Sequence, residues 1–163
     1  NKALVDAVSD MEGVAVFNLY ELSQEIAFNI DEWSKIISDA SAVIYQFPFY
    51  WMSAPSLLKK WQDEVFTFLS KTPAVAGKPL TVVTTTGSEY EAYRSGGRNR
   101  FTTDELLRPY QVSAIHSGMS WQTPIVVYGM GTADAGKNIA EGANLYKQRV
   151  EMLIGSSNAG NNW

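Results

Sequence analysis

Apolar residues along the chain alternate between two spacings, and the change from one to the other marks the elements. Leu4, Val8 and Met11 share one helical face in residues 2–11, with Gly13 as a stop signal. Val14 to Leu19 reads as a strand. Residues 31–40 form a short helix starting at Asp31, and Ala42 to Phe47 is a second strand, nearly continuous in apolar residues. Such a run suits a strand buried on both faces of a parallel sheet. Pro55 opens a helix over 55–69 whose apolar stripe is Leu57, Leu58, Trp61, Val65, Phe68 and Leu69. A third strand covers Leu80 to Thr85. A helix over 102–117 begins with Thr102 or Thr103 as its N-cap. A fourth strand covers Ile125 to Tyr128, and residues 138–153 make the last helix. Strands alternating with helices predict an α/β fold with a mostly parallel sheet and right-handed crossovers.

In open sheets of this kind ligands sit at the carboxyl ends of the strands. Two segments stand there and carry groups that a ligand could use. In PFYWMSAP, prolines 48 and 55 stiffen a loop that presents Phe49, Tyr50 and Trp51 beside backbone N–H groups. A flat heteroaromatic ring would stack on it. The same aromatics would also serve to cap the core or fill a subunit interface. In TTTGSEYEAY, Thr84, Thr85, Thr86 and Gly87 can aim N–H groups and hydroxyls at a ring edge or an anion, or form a turn bonded only to itself. Next come Tyr93, Arg94, Arg98 and Arg100 around a Gly96-Gly97 turn, which reads as a lid, a phosphate contact or a solvated loop.

Composition narrows the classes. The chain has 163 residues, a length for one domain, and a net charge of −4, which argues against a nucleic-acid surface. It has no cysteine and one histidine, His116, so His/Cys metal sites are out and no metal is expected. There is no P-loop, no G-x-S-x-G and no complete G-x-G-x-x-G.

Taken together the segments resemble the flavodoxin-like NAD(P)H dehydrogenases (quinone), a group that includes potassium-efflux ancillary oxidoreductases and modulator-of-drug-activity-type quinone reductases. The resemblance rests on QFPFYWMSAPSLLKKWQDEVF (46–66), in which Pro48, Trp51, Ser53, Pro55, Leu58, Lys59, Trp61, Glu64, Val65 and Phe66 fit the family pattern. It continues through GKPLTVVTTTG (77–87), the EAY–GG–NRFT run, ELLRPYQVSAIHSGM (105–119) and YKQRVEML (146–153). It departs at Thr86, where the family commonly has Gly, and in lacking a histidine after Tyr93.

The resemblance implies a flavodoxin-like three-layer sandwich of strand order 2-1-3-4-5. Family members open with a strand and a phosphate-cradling loop, whereas this sequence starts at Asn1, already at the helix that follows. About 20–25 preceding residues, enough for that strand and loop, are therefore expected. A single, N-terminally incomplete domain is expected over 1–154, with a flexible tail over 155–163.

By resemblance, a tightly bound, non-covalent FMN or FAD would meet Asn1, Pro48, Phe49, Tyr50 and Trp51 on one side and Thr84, Thr85, Thr86 and Gly87 on the other. Tyr93 and Trp51 are the expected catalytic residues. The implied reaction is ping-pong hydride transfer from NAD(P)H through flavin N5 to a quinone or similar acceptor, in a cytoplasmic homodimer. The alternatives are a regulatory subunit associated with a membrane potassium-efflux antiporter and a flavodoxin-type electron carrier.

Overall fold

The computed structural model describes residues 1–22 and 27–159. A four-stranded parallel sheet lies between two layers of helix. The strands are β1 (Val43–Pro48), β2 (Pro79–Thr85), β3 (Ser120–Trp121) and β4 (Ile125–Val127). Central β2 pairs with β1 along its whole length, Val43 opposite Leu80 and Pro48 opposite Thr85. Its other edge takes β3 and then β4, with Thr85 opposite Val127. The three strand ends Pro48, Thr85 and Val127 therefore lie level.

Alternation along the strands sorts the core into two halves. Tyr45, Phe47, Leu80 and Val82 face α3 (Ile30–Asp39), α4 (Ser56–Trp61), α5 (Thr67–Leu69) and α7 (Arg108–His116), joined by Trp33, Ile37, Trp61, Leu69 and Ala114. Val83, Ile125 and Val127 face the other way. They meet Leu4 and Val8 of α1 (Lys2–Val8) and Tyr146 and Val150 of α8 (Ala135–Ala159). Short α2 (Leu19–Leu22) and α6 (Thr103–Leu106) complete the α-helices among the described residues.

Several expectations need correction. Residues 14–18 are not a strand, and Leu19 starts α2. An apolar run becomes a strand only where a neighbour offers a ladder, and no described segment pairs with this one; Val16 and Phe17 stay exposed. Phe68 was expected on the buried stripe but is 56% exposed, while Phe66 is buried. The cause is a π-helical turn over Gln62–Phe66 between α4 and α5, whose wider turn brings Phe66 onto the buried face beside Leu69 and leaves Phe68 outside. The helix over 102–117 is split into α6 and α7 at Leu107, where Pro109 lacks the N–H that a continuous helix needs. Thr102 is its N-cap, with a capping box to Glu105. The first helix ends at Val8 rather than near 11, and Gly13 takes a positive φ of 81° just beyond it. The last helix is longer than 138–153. Residues expected in the flexible tail are helical as far as Ala159, and the remainder lie outside the described residues.

Candidate functional site

The level strand ends bring the two predicted loops side by side. The ladder runs one residue past the strands: Phe49 N–H donates to Thr85 O at 2.9 Å, and Thr86 N–H donates to Val127 O at 2.9 Å. Beyond Phe49 the chain doubles back through Tyr50–Ser53, which exchange two backbone hydrogen bonds. The middle residues of this turn are Trp51 (φ 46°) and Met52 (φ 62°), both left-handed although neither is glycine. Such backbone costs about 1–2 kcal/mol per residue and persists only where the surroundings impose it. Here Tyr110 of α7 imposes it, since its hydroxyl accepts from Ala54 N–H at 3.1 Å and lies 3.3 Å from Ser53 Oγ. The turn holds Trp51 96% exposed beside Tyr50 and Met52.

The loop after β2 is held from its far side. Met130 N–H donates to Thr86 O, Gly131 N–H to Gly87 O, and Gly129 N–H to Ser88 O. Thr84 and Thr86 are buried, and their hydroxyls donate to Phe47 O and Ser88 O. What these threonines leave for a ligand is backbone. Among the described residues no acceptor meets the N–H groups of Trp51, Met52, Gly87 or Ser88. A Cβ built on Gly87 would meet nothing within 4 Å, so that loop borders open space.

Asn1 ties the two strands together: its side-chain amide donates to Thr85 Oγ1 at 3.2 Å, and Gln46 Nε2 donates to its Oδ1 at 2.8 Å. Tyr93 is buried in a 3₁₀ turn (Tyr90–Tyr93), edge-on to Phe49 at 6.2 Å. The rings continue to Tyr128 and Tyr90. Burial pushes the Tyr128 phenol above its ordinary value, opposed by its 2.6 Å hydrogen bond with Thr103. The predicted residues form a chain of contacts, Asn1 to Thr85, Thr85 to Phe49 and Phe49 to Tyr93, and Pro48, Tyr50, Trp51, Thr84, Thr86 and Gly87 flank them. Gln46, Tyr90, Tyr110 and Tyr128 are not among the predicted site residues, although the first three lie within segments singled out in the sequence; what the sequence does not show is that their side chains converge on these loops.

Two cavities adjoin these loops. One, about 490 Å³, lies between Gly87–Ala92 and the Gly131-Thr132 turn. The other, about 690 Å³, runs along the outer edge of β4 and meets the loop pair through Tyr90 and Tyr93. Arg98 donates to Ser88 Oγ, Arg94 lies over the Tyr90 ring, and His116 sits exposed at the end of α7. No helix of the described residues is long and apolar enough to cross a membrane.

A family model described as "Flavodoxin-like fold" matches residues 1–150. The chain belongs to this flavodoxin-like family. Among its flavodoxin-like relatives is general stress protein 14 of Bacillus subtilis, 35% identical over 156 residues, covering 93% of this chain and 89% of the relative. An uncharacterized NAD(P)H oxidoreductase of that organism, YdeQ, is 34% identical over 157 residues (94% and 79%). The glutathione-regulated potassium-efflux system ancillary protein KefG of Serratia proteamaculans is 35% identical over 132 residues (78% and 72%). Among solved structures, one described as a thermophilic tryptophan halogenase from Streptomycin violaceusniger superposes with a TM-score of 0.85 at 35% identity, covering 92% and 89%. General stress protein 14 of Treponema denticola, in complex with FMN, gives 0.84 at 26% identity, covering 93% and 89%.

Proposed function

We propose that the protein is an FMN-dependent NAD(P)H:quinone oxidoreductase of the ping-pong type. The observation that carries this is the pair of strand-end loops. They leave the sheet side by side, and each keeps backbone N–H groups that meet no acceptor among the described residues. A flat ring with carbonyl edges is the kind of ligand that such a bed fits. The open space at Gly87 leaves room for it. The FMN bound by the Treponema relative favours FMN over FAD, and the oxidoreductase name of YdeQ points to a nicotinamide co-substrate.

A bound flavin would supply a two-electron carrier between the nicotinamide and the quinone. The residues supply the rest. Gly87 and Ser88 present donors to an electronegative edge, where fixed dipoles stabilise developing negative charge without reorganising. Phe49 and Trp51 give an apolar wall, and Trp51 excludes water from the mouth. Asn1 holds the ends of β1 and β2 in register, and Pro48 sets where the first loop departs. Tyr93, behind Phe49, takes the polar contact to the acceptor. The exposed Tyr50–Met52 turn is covered by a second copy of the chain in a homodimer, since a contiguous aromatic surface of this kind marks an interface. One relative is named an NAD(P)H oxidoreductase and another is solved with FMN, and the two together support flavin-dependent reduction; the halogenase name has no such second support.

Steady-state kinetics test the reading. With FMN present, NADPH oxidation measured at several concentrations of a short-chain quinone should give parallel double-reciprocal lines. Intersecting lines contradict the ping-pong order, and no quinone-dependent turnover with either nicotinamide contradicts the enzyme.

The identity to KefG favours a second role compatible with the first, as an ancillary subunit of a potassium-efflux antiporter. Co-purification with a co-expressed potassium-efflux antiporter tests it, and failure to associate with or without FMN counts against it.

A further inference from the structure

The larger cavity is not used by the reading above. Its floor is the outer edge of the sheet, Pro124 to Val126. One wall carries the rings of Tyr90, Tyr93 and Tyr128, and the facing wall is α8, with Leu145, Gln148 and Met152. Two guanidiniums enter it, from Arg94 and Arg149, against one carboxylate, Asp104. In a chain of net charge −4 this is a local excess of positive charge. Neither arginine forms an ion pair among the described residues. Arg149 is fixed by donating one N–H to Thr123 O at 2.7 Å, which leaves most of its five donors for another acceptor. Arg94 lies over the Tyr90 ring, 5.5 Å from the centroid. Aromatic faces, amide and hydroxyl groups, and two guanidiniums that form no ion pair among the described residues suit a flat nitrogen heterocycle that carries phosphate. At about 690 Å³ the cavity falls within the range of small-ligand sites. The second cavity is less suited, because Glu89 and Glu91 stand beside its single arginine, Arg98.

Tyr93 joins the two places, since it lines the cavity and packs on Phe49 at the bed. We propose that this cavity holds the adenosine end of the reduced dinucleotide, with Arg94 and Arg149 on its 2′-phosphate, making the protein specific for NADPH over NADH. This rests on the oxidoreductase reading, but its central test does not require turnover.

Calorimetric titration of the FMN-saturated protein with adenosine 2′,5′-bisphosphate is that test. Binding at least 10-fold tighter than that of adenosine 5′-monophosphate is expected. It should weaken about 10-fold in Arg94→Ala and be lost in the Arg94→Ala/Arg149→Ala pair, with Arg94→Lys recovering part of it. Met152→Trp, which narrows the mouth from α8, should weaken binding without removing any charge. Circular dichroism and thermal melting establish that each variant folds. If the bisphosphate fails to bind, binds the double variant as it binds the wild type, or is displaced by FMN, the proposal is overturned whether or not the protein reduces quinones. Kinetics add a separate arm. Arg94→Ala should raise KM for NADPH about 10-fold at constant kcat, while turnover of reduced nicotinamide mononucleotide, which lacks the adenosine end, stays unchanged. Equal effects on both donors would also overturn it.

Discussion

Trp51 has almost no burial to lose, being 96% exposed, and it holds a left-handed backbone that glycine adopts without strain. Replacing it separates the demands of folding from those of the site. Trp51→Gly is expected to leave stability within about 1 kcal/mol of wild type, because relief of strain offsets the added entropy of the unfolded chain. FMN affinity should fall at least 10-fold, measured by quenching of flavin fluorescence. A variant that is strongly destabilised yet binds FMN normally would mean that the residue serves the fold. The sequence showed that this loop carries aromatics between two prolines, which is why it could be picked out. It did not show the left-handed turn, since Trp and Met give no sign of positive φ. Nor did it show the Tyr110 hydroxyl that pins the turn from 57 residues away. The threonines were legible as a strand-end run, but their hydroxyls turn to Phe47 O and Ser88 O, choices set by neighbouring strands.

At the scale of elements, apolar spacing located β1, β2, β4 and the long helices because each buries a continuous face. It failed where the pairing partner or the phase is set elsewhere. Residues 14–18 have the composition of a strand but no ladder among the described residues. The helix from Ser56 to Leu69 buries Leu58, Trp61, Val65 and Leu69 as their spacing predicts, but the π-helical turn brings Phe66 into the core in place of Phe68. Urea unfolding measures this directly. Phe66→Ala should cost about 3–5 kcal/mol, as for other buried phenylalanines, and Phe68→Ala should stay within about 1 kcal/mol, as for a surface change. The reverse order would restore an unbroken α-helical stripe. The helix–sheet contact on the other face is equally close, with a Cβ on Gly142 of α8 falling 2.3 Å from a Val127 methyl. Behind β4, at the edge of the site, α8 therefore admits no larger residue without moving.

For the whole molecule, the two helix layers bury phenols on both faces of the sheet, and this gives a pH dependence of known sign. Burial pushes the Tyr146 phenol from 10.0 up to about 12, and Tyr45 is raised as well, chiefly by burial. A raised folded-state pKa means that the fold prefers the neutral phenol. Its contribution is complete below pH 10, where the unfolded chain keeps its protons, and is lost as pH climbs towards 12. Stability should fall across that window, with Tyr146 accounting for about 3 kcal/mol. Tyr146→Phe should flatten the fall in denaturation curves taken at successive pH values while staying near wild type at pH 7. An identical alkaline slope in the variant would remove Tyr146 from the account. At this scale the layered parallel architecture was legible from the alternation of periods. The convergence of rings from Phe49 to Tyr90 was not, because it depends on three loops meeting above the sheet.

The central claim is that a flavin ring lies between the loop after β1 and the loop after β2. Gly87→Val addresses it most directly, because the added side chain points into open space and its backbone is not left-handed. Titration with FMN, followed by flavin fluorescence alongside a thermal melt, should show one FMN bound per wild-type chain. It should show at least 100-fold weaker binding to Gly87→Val at an unchanged melting temperature. FMN binding equally tight in both proteins, or absent from the wild type, would contradict the account.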